Sequence, residues 1–410
     1  MKSLLALYCL AGILSAQPRA VVRTGLDVMA ENDFSLFSGK RIGLITNPTG
    51  VTRTLAYGVD VLAHSKNVRL IALFGPEHGV RGDVAAGGTV DSYVDSATGI
   101  PVYSLYGKTK KPTKEMLKDV DLLVYDIQDI GSRSYTYINT MAYGMEAAAE
   151  NGIEFVVFDR PNPIGGNRVE GNILNMEFKS FVGMFPIAYA YGMTCGELAT
   201  MINEEGWLAG GKKCRLSVVK MKGWHRSMSW AETGLPWVPT SPHVPNPETA
   251  LFYTATGILG ELNGISIGVG YTMPFQLVGA PWINGQLLAD RLNKREIPGC
   301  YFRALSYKPF YNPMKDLPLQ GVQIYLLDPA KVNLTNIQFF IMEEMNTLWP
   351  GHAVLANASA DRISMFDKVM GTDDVRKAIN AGAPVKDIVA GWNAELYQFK
   401  AKRQRYLLYD

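Results

Sequence analysis

Cysteine, histidine and net charge are all scarce in this chain, and each shortage removes a class of function. The 410 residues contain four cysteines and five histidines. The cysteines, Cys9, Cys195, Cys214 and Cys300, form no Cys-x-x-Cys pair, and the histidines at 64, 78, 225, 243 and 352 show no His-Glu-x-x-His spacing. A structural zinc site and a zinc-peptidase helix are therefore not expected, and no metal is assigned. With Cys9 in a removable leader, three thiols remain. They allow one disulfide at most, so the fold must rest on its core. Formal net charge is only +2, from 40 basic and 38 acidic residues, which gives no steering toward nucleic acid. After the N-terminal segment no apolar run reaches membrane-spanning length without charges or prolines. The glycines of segment 264–271 lack the G-x-G-x-x-G spacing and follow a predicted helix instead of a strand, so no dinucleotide cofactor is expected. Internal repeats and low-complexity tracts are also missing.

The N-terminus carries an export signal. Met1-Lys2-Ser3 supplies one positive charge, residues 4–14 an apolar stretch too short to span a bilayer, and Ser15-Ala16 the small residues of a cleavage site. Residues 1–16 are read as a signal peptide cut near Ala16, and the chain as exported, periplasmic or extracellular. Roughly 390 residues then remain, enough for two domains.

From residue 21 to 247, short apolar strand-like runs alternate with helical segments. Strands are expected at 41–46, 68–74, 102–105, 121–127, 153–158 and 216–220, with helices at 57–65, 113–118, 137–150 and 194–205. Continuous apolar strands fit a sheet covered on both faces. The pattern predicts an α/β fold with a Rossmann-like, doubly wound, mostly parallel sheet. Thr194 with Glu197 three residues on reads as a capping box. Five prolines between 236 and 247 mark an ordered loop and the domain junction. Residues 248–410 read as a smaller α+β domain.

Four of the expected strands end in polar, glycine-rich turns. These are Asn47-Pro48-Thr49-Gly50, Gly75-Pro76-Glu77-His78-Gly79, Gln128-Asp129-Ile130-Gly131 and Asp159-Arg160-Pro161-Asn162. In open α/β sheets ligands bind outside the carboxyl ends of the strands, so an active site is expected there. A loop carboxylate held between proline and histidine is suited to proton transfer, which makes Glu77 the leading catalytic candidate; its bland alternative is a turn-stabilising acceptor. Asp126 and Asp129 are candidates for the second carboxylate. Arg81, Arg133 and Arg160 offer forks for a substrate carboxylate, the alternative being internal Asp–Arg pairs. His78, Tyr135, Asp159, Asn162, Glu170 and Tyr191 complete the expected sugar site.

These stretches together resemble one family, the exo-β-N-acetylmuramidases of NamZ type. The matching segments are LITNPTGV (44–51), LFGPEHGVRGD (73–83), DLLVYDIQDIGSRSYTYI (121–138), FDRPNPIGG (158–166), VEGN (169–172), YGMTCGELA (191–199) and PFQLVGAPWI (274–283). The resemblance implies a Rossmann-like N-terminal domain, a smaller C-terminal domain and a cleft between them. It also implies release of N-acetylmuramic acid from the non-reducing end of peptidoglycan fragments, so the expected partners are muropeptides or disaccharides, with no cofactor. On this mapping the family's catalytic glutamate falls on Glu77, and an assisting tyrosine has Tyr103 and Tyr106 as nearest candidates. The chain departs from many relatives at Val269-Gly270-Tyr271-Thr272, where those carry an Arg-Gly-Thr-Asp or Arg-Gly-Thr-Glu stretch. The competing expectations are a peptidoglycan amidase or esterase using the same cleft, and a non-catalytic binder of cell-wall fragments.

Overall fold

A computed structural model of the chain describes residues 21–82, 92–311 and 314–410. The expected signal peptide and Asp83 of the glutamate turn lie outside the described residues. The first part of the chain runs α1 (Gly25–Ala30), β1 (Arg41–Thr46), α2 (Gly58–Ala63), β2 (Arg69–Gly75), β3 (Tyr93–Val94), β4 (Pro101–Ser104), β5 (Leu122–Asp126), α3 (Tyr137–Asn151), β6 (Glu154–Phe158), β7 (Glu170–Ile173), β8 (Ala188–Ala190), α4 (Cys195–Glu204), β9 (Arg215–Val219) and the single turn α5 (Trp230–Thr233).

Seven of these strands form one sheet in the order β3-β4-β2-β1-β5-β6-β9. Its pairs are parallel except β3 with β4. The chain moves outward from β1 through β2 to β4, then returns to the other side of β1 with β5. That reversal puts the topological switch, and its crevice, at the carboxyl ends of β1 and β5. One sheet face packs Leu44, Leu73 and Val124 against Leu26 of α1 and Val59 of α2. The opposite face packs Ile45, Phe74 and Tyr125 against Met141 of α3 and Leu198 of α4. Alternate strand residues thus serve opposite cores, as the two-residue period requires. The capping box at Thr194 and Glu197 forms as expected and starts α4 beside β6.

The remaining chain runs α6 (Glu248–Thr256), β10 (Leu277–Ala280), α7 (Gly285–Asn293), β11 (Cys300–Tyr307), β12 (Leu319–Leu326), α8 (Leu334–Leu348), α9 (Ala360–Met370), α10 (Asp374–Asn380), α11 (Val385–Ala390) and α12 (Asn393–Arg403). Strands β10, β12 and β11 make a small antiparallel sheet. Its core includes Ile130, Ile164, Tyr189 and Ala190 from before residue 247, so the two parts share apolar packing. Cys195, Cys214 and Cys300 are free thiols. Among the described residues no helix is long and apolar enough to cross a membrane.

One expected helix fails. Residues 113–118 make a single turn, closed by Leu117 N–H to the Thr113 carbonyl at 3.1 Å. Asp119 then takes φ 69°, a left-handed value that cannot extend a helix. The short hairpin β7–β8, strand β10 and helix α9 were not anticipated. The polar stretch Glu170-Gly171-Asn172 becomes strand through pairing with β8.

Candidate active site

β2 delivers Gly75-Pro76 to the crevice, and the chain then reverses sharply. His78 and Gly79 both adopt φ 74°, a left-handed conformation that a histidine holds only at a cost. Glu77 is half-buried and His78 buried. The turn is tied down by Arg81, whose Nε and Nη2 each lie 2.9 Å from Asp95 and whose Nη2 lies 2.7 Å from Asp60. Its guanidinium also sits 5.2 Å from the Tyr57 ring centroid. Arg81 beside Asp95 holds that carboxyl below its ordinary range. Arg81 was expected to meet a substrate carboxylate. Two protein carboxylates already occupy its fork, and its role is to anchor the glutamate turn.

Tyr106, just beyond β4, hydrogen-bonds Glu77. Burial first, and then the Glu77 charge and that bond, raise its phenol above the ordinary tyrosine range. Glu77 and His78 form one wall of a cavity of about 210 Å³. Tyr135 and Tyr137 line it from the turn after β5, His243 from the proline-rich loop, and Tyr253 and Phe275 from the second part of the chain. This wall is locked. Tyr135 Oη donates to Thr240 Oγ1 and Tyr137 Oη to the Thr240 carbonyl, both at 2.7 Å. The Tyr135 ring meets those of Tyr137 and Tyr253 edge-on, with centroids 5.1 and 5.6 Å apart. A rigid aromatic wall of this kind suits the C–H face of a sugar and leaves little side-chain entropy to lose on binding.

Of the residues nominated from sequence, Glu77, His78 and Tyr135 share this cavity. The others do not line it: each is engaged by hydrogen bonds or ion pairs within the protein, and all but Arg81 are buried. Arg160 Nε and Nη2 grip Asp126 at 2.6 and 2.9 Å, and Nη2 also donates to the Val51 carbonyl. Burial pushes the Asp126 carboxyl up while Arg160 pulls it back. Asp129 accepts from Gly131 N–H at 2.6 Å and from the Tyr191 hydroxyl, and burial pushes its pKa up to about 6. Asp159 accepts from Thr194 Oγ1, Gly196 N–H and the Tyr409 hydroxyl, tying the C-terminal tail to α4; burial pushes it, too, up to about 6. Asn162 donates to the Met193 carbonyl at 3.0 Å. Its Oδ1 lies where a Cβ on Gly131 would come within 2.4 Å, and Gly131 has φ 83°, so only glycine fits that turn.

Glu170 pairs with Arg168 and accepts from Thr335 N–H at 3.2 Å, capping the start of α8. It lines a larger cavity of about 680 Å³ with Pro163, Arg226, Trp230 and Leu251. Leu251 and Tyr253 are two residues apart on α6, about 200° around the helix, so the two cavities flank opposite sides of α6. The smaller one is lined by Glu77 and is the candidate active site.

Arg133 is fully buried. It donates to the Asn172, Ile187 and Met370 carbonyls at 2.9, 2.8 and 2.6 Å, joining β7, the residue before β8 and the end of α9. Burial without a carboxylate partner lowers its pKa to about 10. Arg133→Leu should therefore act on stability. Each carbonyl left unsatisfied costs about 1–3 kcal/mol, so urea denaturation should show a loss of about 3 kcal/mol or more. An unchanged midpoint with lost sugar binding would return Arg133 to the substrate site.

Three of the four turns are nevertheless one framework. Gln128 N–H donates to Thr49 Oγ1 at 2.8 Å and Gln128 Nε2 to the Pro161 carbonyl at 2.7 Å, linking the turns after β1, β5 and β6. Sequence reasoning missed His243, Tyr137 and Tyr253. The only signal for His243 was its place in a proline-stiffened loop beside the expected cleft. Stretch 269–272, where the family resemblance departs, packs Tyr271 against Tyr307 and Phe310.

Residues 42–248 match the N-terminal domain, and residues 251–409 the C-terminal domain, of the exo-β-N-acetylmuramidase NamZ family. The chain is 47% identical over 388 residues to the peptidoglycan β-N-acetylmuramidase NamZ of Bacillus subtilis strain 168, covering 95% of this chain and 91% of that protein. Two crystal structures of DUF1343 family proteins from Bacteroides fragilis are also similar. One has a TM-score of 0.91 at 52% identity, covering 96% of this chain and all of that one. The other has a TM-score of 0.78 at 31% identity, covering 95% of this chain and 99% of that one. This chain belongs to the exo-β-N-acetylmuramidase NamZ family.

Proposed function

We propose that the chain is an exo-acting glycoside hydrolase that releases N-acetylmuramic acid from the non-reducing end of peptidoglycan fragments. The observation that carries this reading is a carboxyl, Glu77, that is hydrogen-bonded to Tyr106 and lines a small aromatic-walled cavity. A cavity of about 210 Å³ is smaller than the roughly 300–1,000 Å³ that engulfs drug-sized ligands. It suits one terminal sugar unit better than a length of glycan chain. Glu77 as an acid gives its proton to the departing glycosidic oxygen while the sugar's own 2-acetamido oxygen closes on C1. As a carboxylate it then takes a proton from the water that attacks C1 and reopens that ring. Tyr106 orients the carboxyl between these two steps.

The test is a defined muropeptide or disaccharide with a muramic acid unit at its non-reducing end, analysed by mass spectrometry. Free N-acetylmuramic acid is expected. Free peptide or acetate would identify an amidase or esterase, and binding without any cleavage a non-catalytic cell-wall protein. Tyr106→Phe should lower kcat with little change in KM. A hydrogen bond to a charged group contributes about 1.5–3 kcal/mol, equivalent to a loss of roughly 10- to 100-fold. An unchanged kcat removes Tyr106 from the reaction. We also propose export through the leader read from residues 1–16. N-terminal sequencing of protein recovered outside the cytoplasm should begin near Gln17.

A further inference from the structure

Muramic acid differs from glucosamine by a lactyl carboxylate, and such an anion needs a partner in the site. The three arginines that the sequence offers are all taken. Arg81 is held by Asp60 and Asp95, Arg160 by Asp126, and Arg133 by backbone carbonyls. Among the described residues lining the active-site cavity, the basic side chains are His78 and His243. They approach from different parts of the fold, one on the turn after β2 and the other on the proline-rich loop.

Two features mark this pair as built. His78 occupies a left-handed backbone position at φ 74°. Strain of this kind persists where the surrounding structure imposes it and gathers at ligand clamps. The His243 ring is stacked on Tyr311, with centroids 5.9 Å apart and planes 16° apart, which fixes the imidazole plane at the cavity wall.

Resting on the function proposed above, we propose that His243 and His78 form the carboxylate-recognising pair of the cavity and select muramic acid over glucosamine units. The neighbouring titratable groups are Glu77, the Tyr135 and Tyr137 phenols from the turn after β5, Tyr253 of α6 and Tyr311. In the free protein burial, and then the nearby His78, hold His243 below the ordinary histidine range. An arriving carboxylate brings a negative charge beside His243 and raises its pKa. Binding then takes up a proton. Affinity for the anionic sugar should rise as pH falls through the pKa of the complex, and level off below that of the free protein. A neutral sugar gains nothing from this proton, so its affinity stays flat.

Calorimetric titration of the full chain with N-acetylmuramic acid and with N-acetylglucosamine tests this without turnover. Titrations over about pH 5.5–8, in buffers of different ionisation heat, read proton uptake directly. The expected result is uptake with the muramic sugar only, and a preference for it that falls at least about tenfold in His243→Ala, equivalent to about 1.4 kcal/mol. His243→Gln, which keeps a neutral donor and the loop packing, should abolish the uptake while thermal melting reports an intact fold. Equal weakening of both sugars, or no proton uptake by the wild-type chain, overturns the inference even if the chromogenic muramic acid glycoside is cleaved. Loss of that cleavage with uptake intact would instead overturn the hydrolase reading and leave the pair standing.

Discussion

Glu77→Gln is expected to keep the wild-type thermal melt and lose at least about a hundredfold in kcat on a chromogenic muramic acid glycoside, the lower range for removing a general acid–base group. The amide preserves the shape of the side chain and an oxygen for Tyr106, but it can neither give the proton that the leaving oxygen needs nor take one from water. The structure makes this separation of rate from stability possible. Glu77 is half-buried at a cavity wall, whereas the fastening of its turn falls to Arg81 with Asp60 and Asp95. Near-normal turnover by Glu77→Gln would refute the assignment. A large fall in melting temperature would show instead that the carboxyl is part of the turn's framework.

The opposite pattern is expected one strand away. Asp126→Ala leaves the Arg160 guanidinium buried with no carboxylate, because Asp126 and Arg160 are both almost fully buried and bonded to each other at 2.6 and 2.9 Å. Breaking a buried ion pair from one side costs about 3–5 kcal/mol. For domains of this size that corresponds to a fall in Tm on the order of 10 °C. Replacing both members with apolar residues, Asp126→Leu with Arg160→Met, removes the orphaned charge and should recover most of that loss. Differential scanning calorimetry of the two single variants and the double variant reads the cycle. If Asp126→Asn melts like wild type yet is inactive, Asp126 is a catalytic group and the structural assignment fails.

The contrast between these two carboxylates shows where reading the sequence stops. Glu77 stands in a turn between proline and glycine, whereas Asp126 falls inside the expected strand 121–127, yet neither setting says which carboxylate reaches a cavity. The difference is register. Asp126 is the last residue of β5 and pairs with Thr46 of β1, in the middle of the sheet, where the Arg160 turn covers it. Glu77 lies two residues beyond the end of β2, past a proline, where the chain has already left the sheet. The same reasoning separates Arg133 from a substrate clamp, since its carbonyl partners come from residues 172, 187 and 370. No spacing in the sequence joins those three.

The sequence by itself determined the sheet, its covering helices and the candidate glutamate. Continuous apolar runs, capping residues and turn-forming glycines act over a few neighbours, so their meaning is written locally. Tertiary structure alone decided which polar side chains face the cavity and which are consumed as internal fasteners. It also brought His243 from a proline-rich loop to the cavity that His78 lines. Those outcomes depend on desolvation and on contacts between segments far apart in the chain, and a buried polar group takes its role from whichever partner the fold places beside it.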